Sequence, residues 1–178
     1  GHVQLSTRYS NIKSDFIQIN ATGKTTRVFS FFLKIKHFYS SLVNQFLEPV
    51  KFSMDIEQGS YSSEDVVRFN NDLTQIITAD DTIYNSSSVQ DILSTFYALR
   101  NLPHLDIQSV DTLRFRYYYS GKIYNSHIIN SGNELIRSKF GRIQTTKFYI
   151  LLEGGRYFRD STYAKLWVSN DDFHVPIK

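Results

Sequence analysis

A mainly β protein is predicted: an antiparallel sheet, curved into a barrel or half-barrel, around one clear helix. Three observations predict it. The 178 residues carry 14 Phe, 12 Tyr and 1 Trp but only 3 Pro and 8 Gly, and aromatic enrichment favours strands. Short runs alternate apolar and polar residues between clusters of turn residues, the period of a half-buried strand. Only one segment with helical periodicity is bounded by a cap and a breaker.

In chain order, Val3, Leu5 and Thr7 alternate with Gln4, Ser6 and Arg8 as a first strand. Phe16, Ile17 and Ile19 form a second, ended by Ala21-Thr22-Gly23-Lys24. The run Thr25 to His37 fits helical spacing (Val28, Phe31, Phe32, Ile35) and strand alternation (Phe29, Phe31, Leu33, Ile35) alike, and is read as a second, short helix. Phe38 to Val43 returns to strand, and Glu48-Pro49 breaks the chain. Val50, Phe52, Met54 and Ile56 alternate cleanly. Gln58-Gly59-Ser60 turns the chain, and Tyr61 to Asn70 and Leu73 to Thr78 complete a meander.

The clear helix is Val89–Arg100. Ser88 is its N-cap, Asp91 lies near the first-turn amides, and Val89, Ile92, Leu93 and Phe96 form one apolar face. Pro103 forbids continuation. Leu113, Phe115, Tyr117 and Tyr119 then share a strand face, with Arg114, Arg116 and Tyr118 opposite. Ser120-Gly121 turns the chain into Lys122 to Ile129. Asn130-Ser131-Gly132-Asn133 and Phe140-Gly141 are further turns, and Ile143 to Leu152 is a long strand ended by Glu153-Gly154-Gly155. Tyr157-Phe158, Ala164 to Ser169 and Phe173 to Ile177 finish a total of about ten strands.

One domain, 1-178, fits this length. The absence of cysteine removes disulfides, thiolate nucleophiles and sulfur-ligated metals. A net charge of +3 is too mild to imply nucleic acid, and no apolar run is long enough for a transmembrane helix. Both ends read as cut, Gly1-His2 without a leader and Pro176-Ile177-Lys178 inside a strand, so the chain reads as a fragment or a trimmed mature form.

No catalytic, metal-binding or cofactor-binding residue is assigned. His2, His37, His104, His127 and His174 lack metal-ligand spacing, and no nucleophile elbow or phosphate loop occurs. The carboxylate pairs Asp80-Asp81 and Asp171-Asp172 read as turns, since neighbours on a strand face opposite ways; calcium is the lesser reading there. Arg114 and Arg116 beside Tyr118 read as a solvated strand face rather than a nucleic-acid groove. Glu134 reads as a strand-edge charge, and Trp167 as a core residue or rim anchor.

From Asp91-Ile92-Leu93-Ser94-Thr95-Phe96-Tyr97-Ala98-Leu99-Arg100 onward, the chain resembles domain-of-unknown-function family 3108. The likeness continues through Glu134, Lys139-Phe140-Gly141-Arg142, Leu166-Trp167-Val168-Ser169-Asn170-Asp171-Asp172 and Val175-Pro176-Ile177. Tyr39-Ser40-Ser41, Glu48-Pro49 and Glu57-Gln58-Gly59-Ser60-Tyr61 agree more loosely. The resemblance implies an exported Gram-negative envelope protein of the Bacteroides-group type, in the periplasm or outer envelope, lacking its signal peptide and a further N-terminal strand before Gly1; it carries over no catalytic residue. In such proteins Asp-Thr or Asp-Ser motifs accept O-glycans, which makes Thr82, Thr112 and Ser161 candidate sites.

The expected function is therefore non-catalytic. A barrel of this size can leave a cavity for a lipid-like, apolar or amphipathic ligand, or present a surface to an envelope protein partner. The rings filling the core themselves is an equal reading. A hydrolase of envelope polysaccharide using turn carboxylates, and a structural module of a surface assembly, are the alternatives.

Overall fold

The computed structural model describes residues 2–9, 15–24, 35–70, 72, 74–85, 87–98, 100, 111–138, 141–152 and 162–177. Among these the chain is mostly strand, antiparallel throughout, with one short helix. It divides into two compact units, 1–94 and 95–178.

The first unit holds a seven-stranded meander in chain order: β1 His2–Tyr9, β2 Ile17–Lys24, β3 Ile35–Val43, β4 Pro49–Gln58, β5 Tyr61–Asn70, β6 Gln75–Ile77 and β7 Thr82–Tyr84. The Gln58–Tyr61 hairpin closes through Gly59, whose φ of +61° carries no steric penalty. Alternation is obeyed where it was cleanest. Phe52, Met54 and Ile56 of β4 and Val67 and Phe69 of β5 are buried beside Ile19 of β2. The ring of Tyr39 stacks on Phe52 with centroids 6.4 Å apart.

Three boundaries differ from expectation. β2 runs through Ala21 to Lys24 instead of ending there, because Ala21 is core and the whole stretch stays in register with β3. Ile35, Lys36 and His37 are strand, not the end of a helix, since each is paired to β2 or β4; residues 25–34 of that run lie outside the described residues. The break expected at Glu48-Pro49 separates β3 from β4, but Pro49 itself belongs to β4 as its first residue, opposite Val43 at a register shift.

The helix is α1, Ile92–Ala98, three residues shorter at its start than the apolar spacing implies. Gln90–Asp91 before it is a short strand, β8. The N-cap is Asp91, not the exposed Ser88. Its Oδ1 accepts the N–H groups of Leu93 at 2.7 Å and Ser94 at 2.8 Å, and its own N–H is held by Ser94 Oγ at 2.9 Å. This reciprocal arrangement is a capping box with serine in the third position. Periodicity overshot the start because Val89 is buried as extended chain. The face buried by α1 is Leu93, Ser94, Thr95 and Tyr97, while Ile92 and Phe96 of the expected apolar face are half-buried.

Asp91 is fully buried, and Ser41 Oγ from β3 donates to its Oδ2 at 2.5 Å. Burial raises its pKa to about 6 against these opposing hydrogen bonds.

The second unit carries β9 Thr112–Tyr119, β10 Lys122–Ser138, β11 Gly141–Leu152 and β12 Thr162–Ser169 as antiparallel neighbours in that order. Their sheet curls into a half-barrel. Ser120 and Gly121, with φ of +47° and +80°, form the two-residue turn between β9 and β10. Tyr117, Ile128, Phe148, Ile150, Leu166 and Val168 share one face and are buried, so these rings and branched chains fill a core.

Here too the structure corrects particulars. Tyr118 is buried rather than solvated, and its hydroxyl accepts the Gly121 N–H at 3.1 Å. β10 does not turn at 130–133 but continues to Ser138 through a bulge. Residues 173–177 form no strand. Ser169 Oγ and Asp171 hold them as a compact turn, with a single bridge between Val168 and Pro176. Tyr157 and Phe158 lie outside the described residues.

The Asp91 cap generates a prediction. A carboxyl whose folded pKa is raised favours folding below its unfolded pKa, and that contribution is lost as pH rises through about 6. Asp91→Asn keeps the oxygen for the two amides and removes the charge. Its stability relative to wild type should rise by up to about 3 kcal/mol between pH 4 and 7.5 in urea unfolding. Asp91→Ala, which removes the cap, should lose about 2 kcal/mol at either pH. Parallel pH profiles for wild type and Asn variant would contradict the assignment.

Candidate functional site

Side-chain parity on β10 decides what this sheet can present. Phe148 of β11 is opposite Asn130, and Thr146 is opposite Asn133. Ser131 and Gly132 therefore share the space facing Lys147, one residue too many, which is a β-bulge. Gly132 makes the step at φ +88°, and Asn130 Oδ1 receives its N–H at 2.8 Å. A Cβ on Gly132 would meet nothing within 4 Å, so the requirement for glycine is conformational.

Beyond the bulge every side chain of β10 changes face. Glu134 consequently shares a face with Thr145, and through β11 with Lys147 and Trp167, which are direct cross-strand partners. Trp167 Nε1–H donates to Glu134 Oε2 at 2.9 Å. Lys147 Nζ lies 3.6 Å from the same oxygen and 5.4 Å from the ring centroids of both Trp167 and Tyr149. One ammonium thus sits over two rings and beside the carboxylate that anchors one of them. Thr145 Oγ1 donates to the Glu134 carbonyl at 2.6 Å, and Thr146 Oγ1 to Asn133 Oδ1 at 3.1 Å, fixing the strand at this point.

Half-exposed ion pairs and ring contacts of this kind contribute about 1 kcal/mol or less each, so the cluster orients its members more than it stabilises the fold. Chemically it presents a cation of fixed position flanked by aromatic surface. Glu134 and Trp167 were singled out in the sequence separately, and the structure brings them together. Lys147 and Tyr149 were not singled out, since only the register shows that they face Trp167.

The other candidates fall elsewhere. Asp81 Oδ1 receives the Thr82 N–H at 2.7 Å in the β6–β7 turn. Asp171 Oδ1 receives Ser169 Oγ at 2.8 Å and the Phe173 N–H at 3.0 Å. Partial burial opposes ionisation of Asp171, but these bonds, with His174, prevail and hold its pKa below the usual value. Both carboxylates are thus engaged in closing their own turns. Among the described residues no three His, Asp or Glu side chains gather as a metal site. His37 is half-buried edge-on to Tyr39, and burial lowers its pKa; His174 is buried, with φ +44°. His104 lies outside the described residues. Thr112 is exposed at the start of β9, Thr82 is half-buried in β7, and Ser161 lies outside the described residues. A cleft lined by Phe69, Gln75, Asn85 and Val89 has room for about one water molecule. No helix among the described residues is long and apolar enough to cross a membrane.

Comparison with known proteins places the chain in a family. The family model described as "Protein of unknown function (DUF3108)" matches residues 1–178, and the chain belongs to that family. A crystal structure of a DUF1089 family protein from Pseudomonas aeruginosa has the same fold, with a TM-score of 0.54. It is 10% identical, and the match covers 100% of this chain and 89% of that one. No curated protein matches the sequence.

Trp167 is the sole tryptophan, which makes the cluster directly observable. Glu134→Ala and Lys147→Met should each shift the fluorescence emission maximum of the folded protein while changing unfolding free energy by about 1 kcal/mol or less. Emission unchanged in both variants would mean that the indole does not sense either group.

Proposed function

We propose that this DUF3108 protein is a non-catalytic, exported component of the bacterial envelope that binds an amphipathic ligand or partner through the second sheet. The observation that carries the binding reading is the Lys147 ammonium held between Tyr149 and Trp167 by Glu134. A charge fixed beside aromatic surface suits a ligand that combines an acidic group with apolar faces, because neither partner must be ordered on binding. The opposite face supports the same placement. With Tyr117, Phe148 and Ile150 buried there, its rings are used in packing.

Export is supported by the likeness of the sequence motifs to exported envelope proteins. O-glycosylation belongs to the same proposal, with exposed Thr112 the most accessible of the acceptors whose setting is described, ahead of Thr82; Ser161 is the third acceptor.

Fractionation of the native host should place the protein in the periplasm or outer envelope, with an intact mass above that of the bare polypeptide. Recovery in the cytosol at the bare mass would overturn export and modification together. For binding, Trp167→Ala and Lys147→Ala should each weaken retention of a ligand that co-purifies with the native-host protein. Retention unchanged in both would remove this face from the function.

A further inference from the structure

The register extends the cluster into a strip. On the face of the second sheet that carries Trp167, three successive cross-strand pairs each join a base to a ring: Lys147 with Trp167, Lys165 with Tyr149, and Arg114 with His127. The first two span β11 and β12, and the third spans β9 and β10. His127 is itself opposite Leu151 of β11, two residues beyond Tyr149, so the three pairs occupy consecutive rows. Rows two residues apart are separated by about 7 Å along the strands. Arg116, opposite Asn125, adds a base one row further on. Ser169 and Thr145, buried, bound the strip at one end, and buried Tyr118 bounds it at the other.

The strip therefore carries four bases, Arg114, Arg116, Lys147 and Lys165, against the carboxylate of Glu134. Arg114 and Lys165 are exposed. Charge complementarity calls for an anion, and the repetition over several rows calls for an extended one rather than a single headgroup. Lys147 Nζ already lies over the Trp167 and Tyr149 rings, which disfavours the stacked bases of a single-stranded nucleic acid on those surfaces. A sugar chain needs no stacked base: its acidic groups meet the cations while its hydroxyls meet polar neighbours such as Asn125.

Resting on the proposed binding role of this face, we infer that its ligand is a linear acidic polysaccharide, lying along the Trp167–Arg114 strip with its carboxylates on Lys147, Lys165 and Arg114. The test uses polygalacturonate as probe, followed by calorimetry and Trp167 fluorescence, with dextran, oligo-dT and phosphatidylglycerol vesicles as comparison arms. Polygalacturonate should bind at low salt and weaken as salt rises. Arg114→Glu/Lys165→Glu should reduce its affinity by roughly tenfold or more. The charge-matched control Lys51→Glu/Arg68→Glu, on the outer face of the first sheet, should leave it unchanged, and both double variants should keep the wild-type melting temperature. Equal binding of dextran, or equal loss in the control, would overturn the inference. Preferential binding of oligo-dT or vesicles, abolished by the strip variant, would also overturn it while leaving the binding role of the face intact. If no probe binds and native-ligand retention is indifferent to Lys147→Ala, both readings fall.

Discussion

One extra residue in β10 decides what the second sheet presents on each face. Side chains in a strand alternate with period two, so inserting Ser131 and Gly132 opposite a single residue reverses the face of everything after them. Without that step Glu134 would point to the side of Phe148 and Val168, both fully buried. There it would lie opposite exposed Gln144, on the other face of the sheet from Trp167 and Lys147. With the step, Glu134 reaches the indole N–H of Trp167 and the ammonium of Lys147. Glycine at 132 and asparagine at 130 are the local chemistry that makes the step inexpensive, one by its φ and the other by its side-chain acceptor.

A second polar constraint organises the first unit. The core face of β3 includes Ser41, fully buried among residues that are otherwise apolar. In a strand read by hydrophobicity, Ser40-Ser41 weakens the pattern. In the structure Ser41 is the donor that meets Asp91, and Asp91 in turn supplies the start of α1. The arrangement satisfies every group involved: two amides, one hydroxyl and one carboxylate. Burial nevertheless keeps the carboxyl pKa high, so desolvation outweighs the donors. Sequence position alone placed Asp91 near the first-turn amides but not at the cap, because Ser88 is an equally good capping residue by type.

The parts of the fold that were legible share a property: their signals were local and unambiguous. Alternation in β4 and β5, and the glycine-bearing turns after Gln58 and Tyr119, needed no knowledge of neighbours. The parts misread depended on partners. Asn-Ser-Gly-Asn has the same composition whether it closes a hairpin or forms a bulge, and only the continued pairing of 133–138 with β11 distinguishes them. Phe173 to Ile177 alternates like a strand, yet Asp171 and Ser169 capture the backbone N–H groups of Phe173 and Val175 first. Tyr118 lies opposite the buried side of β9 by parity and is buried all the same, so the end of that strand is covered on both faces.

The strip of bases and rings was hidden for the same reason, carried one step further. Lys147, Tyr149, Lys165 and Trp167 come from two strands, and Glu134, His127 and Arg114 from two more. Apart from Arg114, which lies in the run of bases and rings around Tyr118, none of these residues belongs to a motif along the chain. Their coincidence on one face is a consequence of three strand registers and one bulge. Nor does stability demand it, since exposed ion pairs and ring–cation contacts contribute little to folding. A surface that repeats base-and-ring pairs over three rows, with one cation already oriented by its neighbours, is therefore not a requirement of the fold.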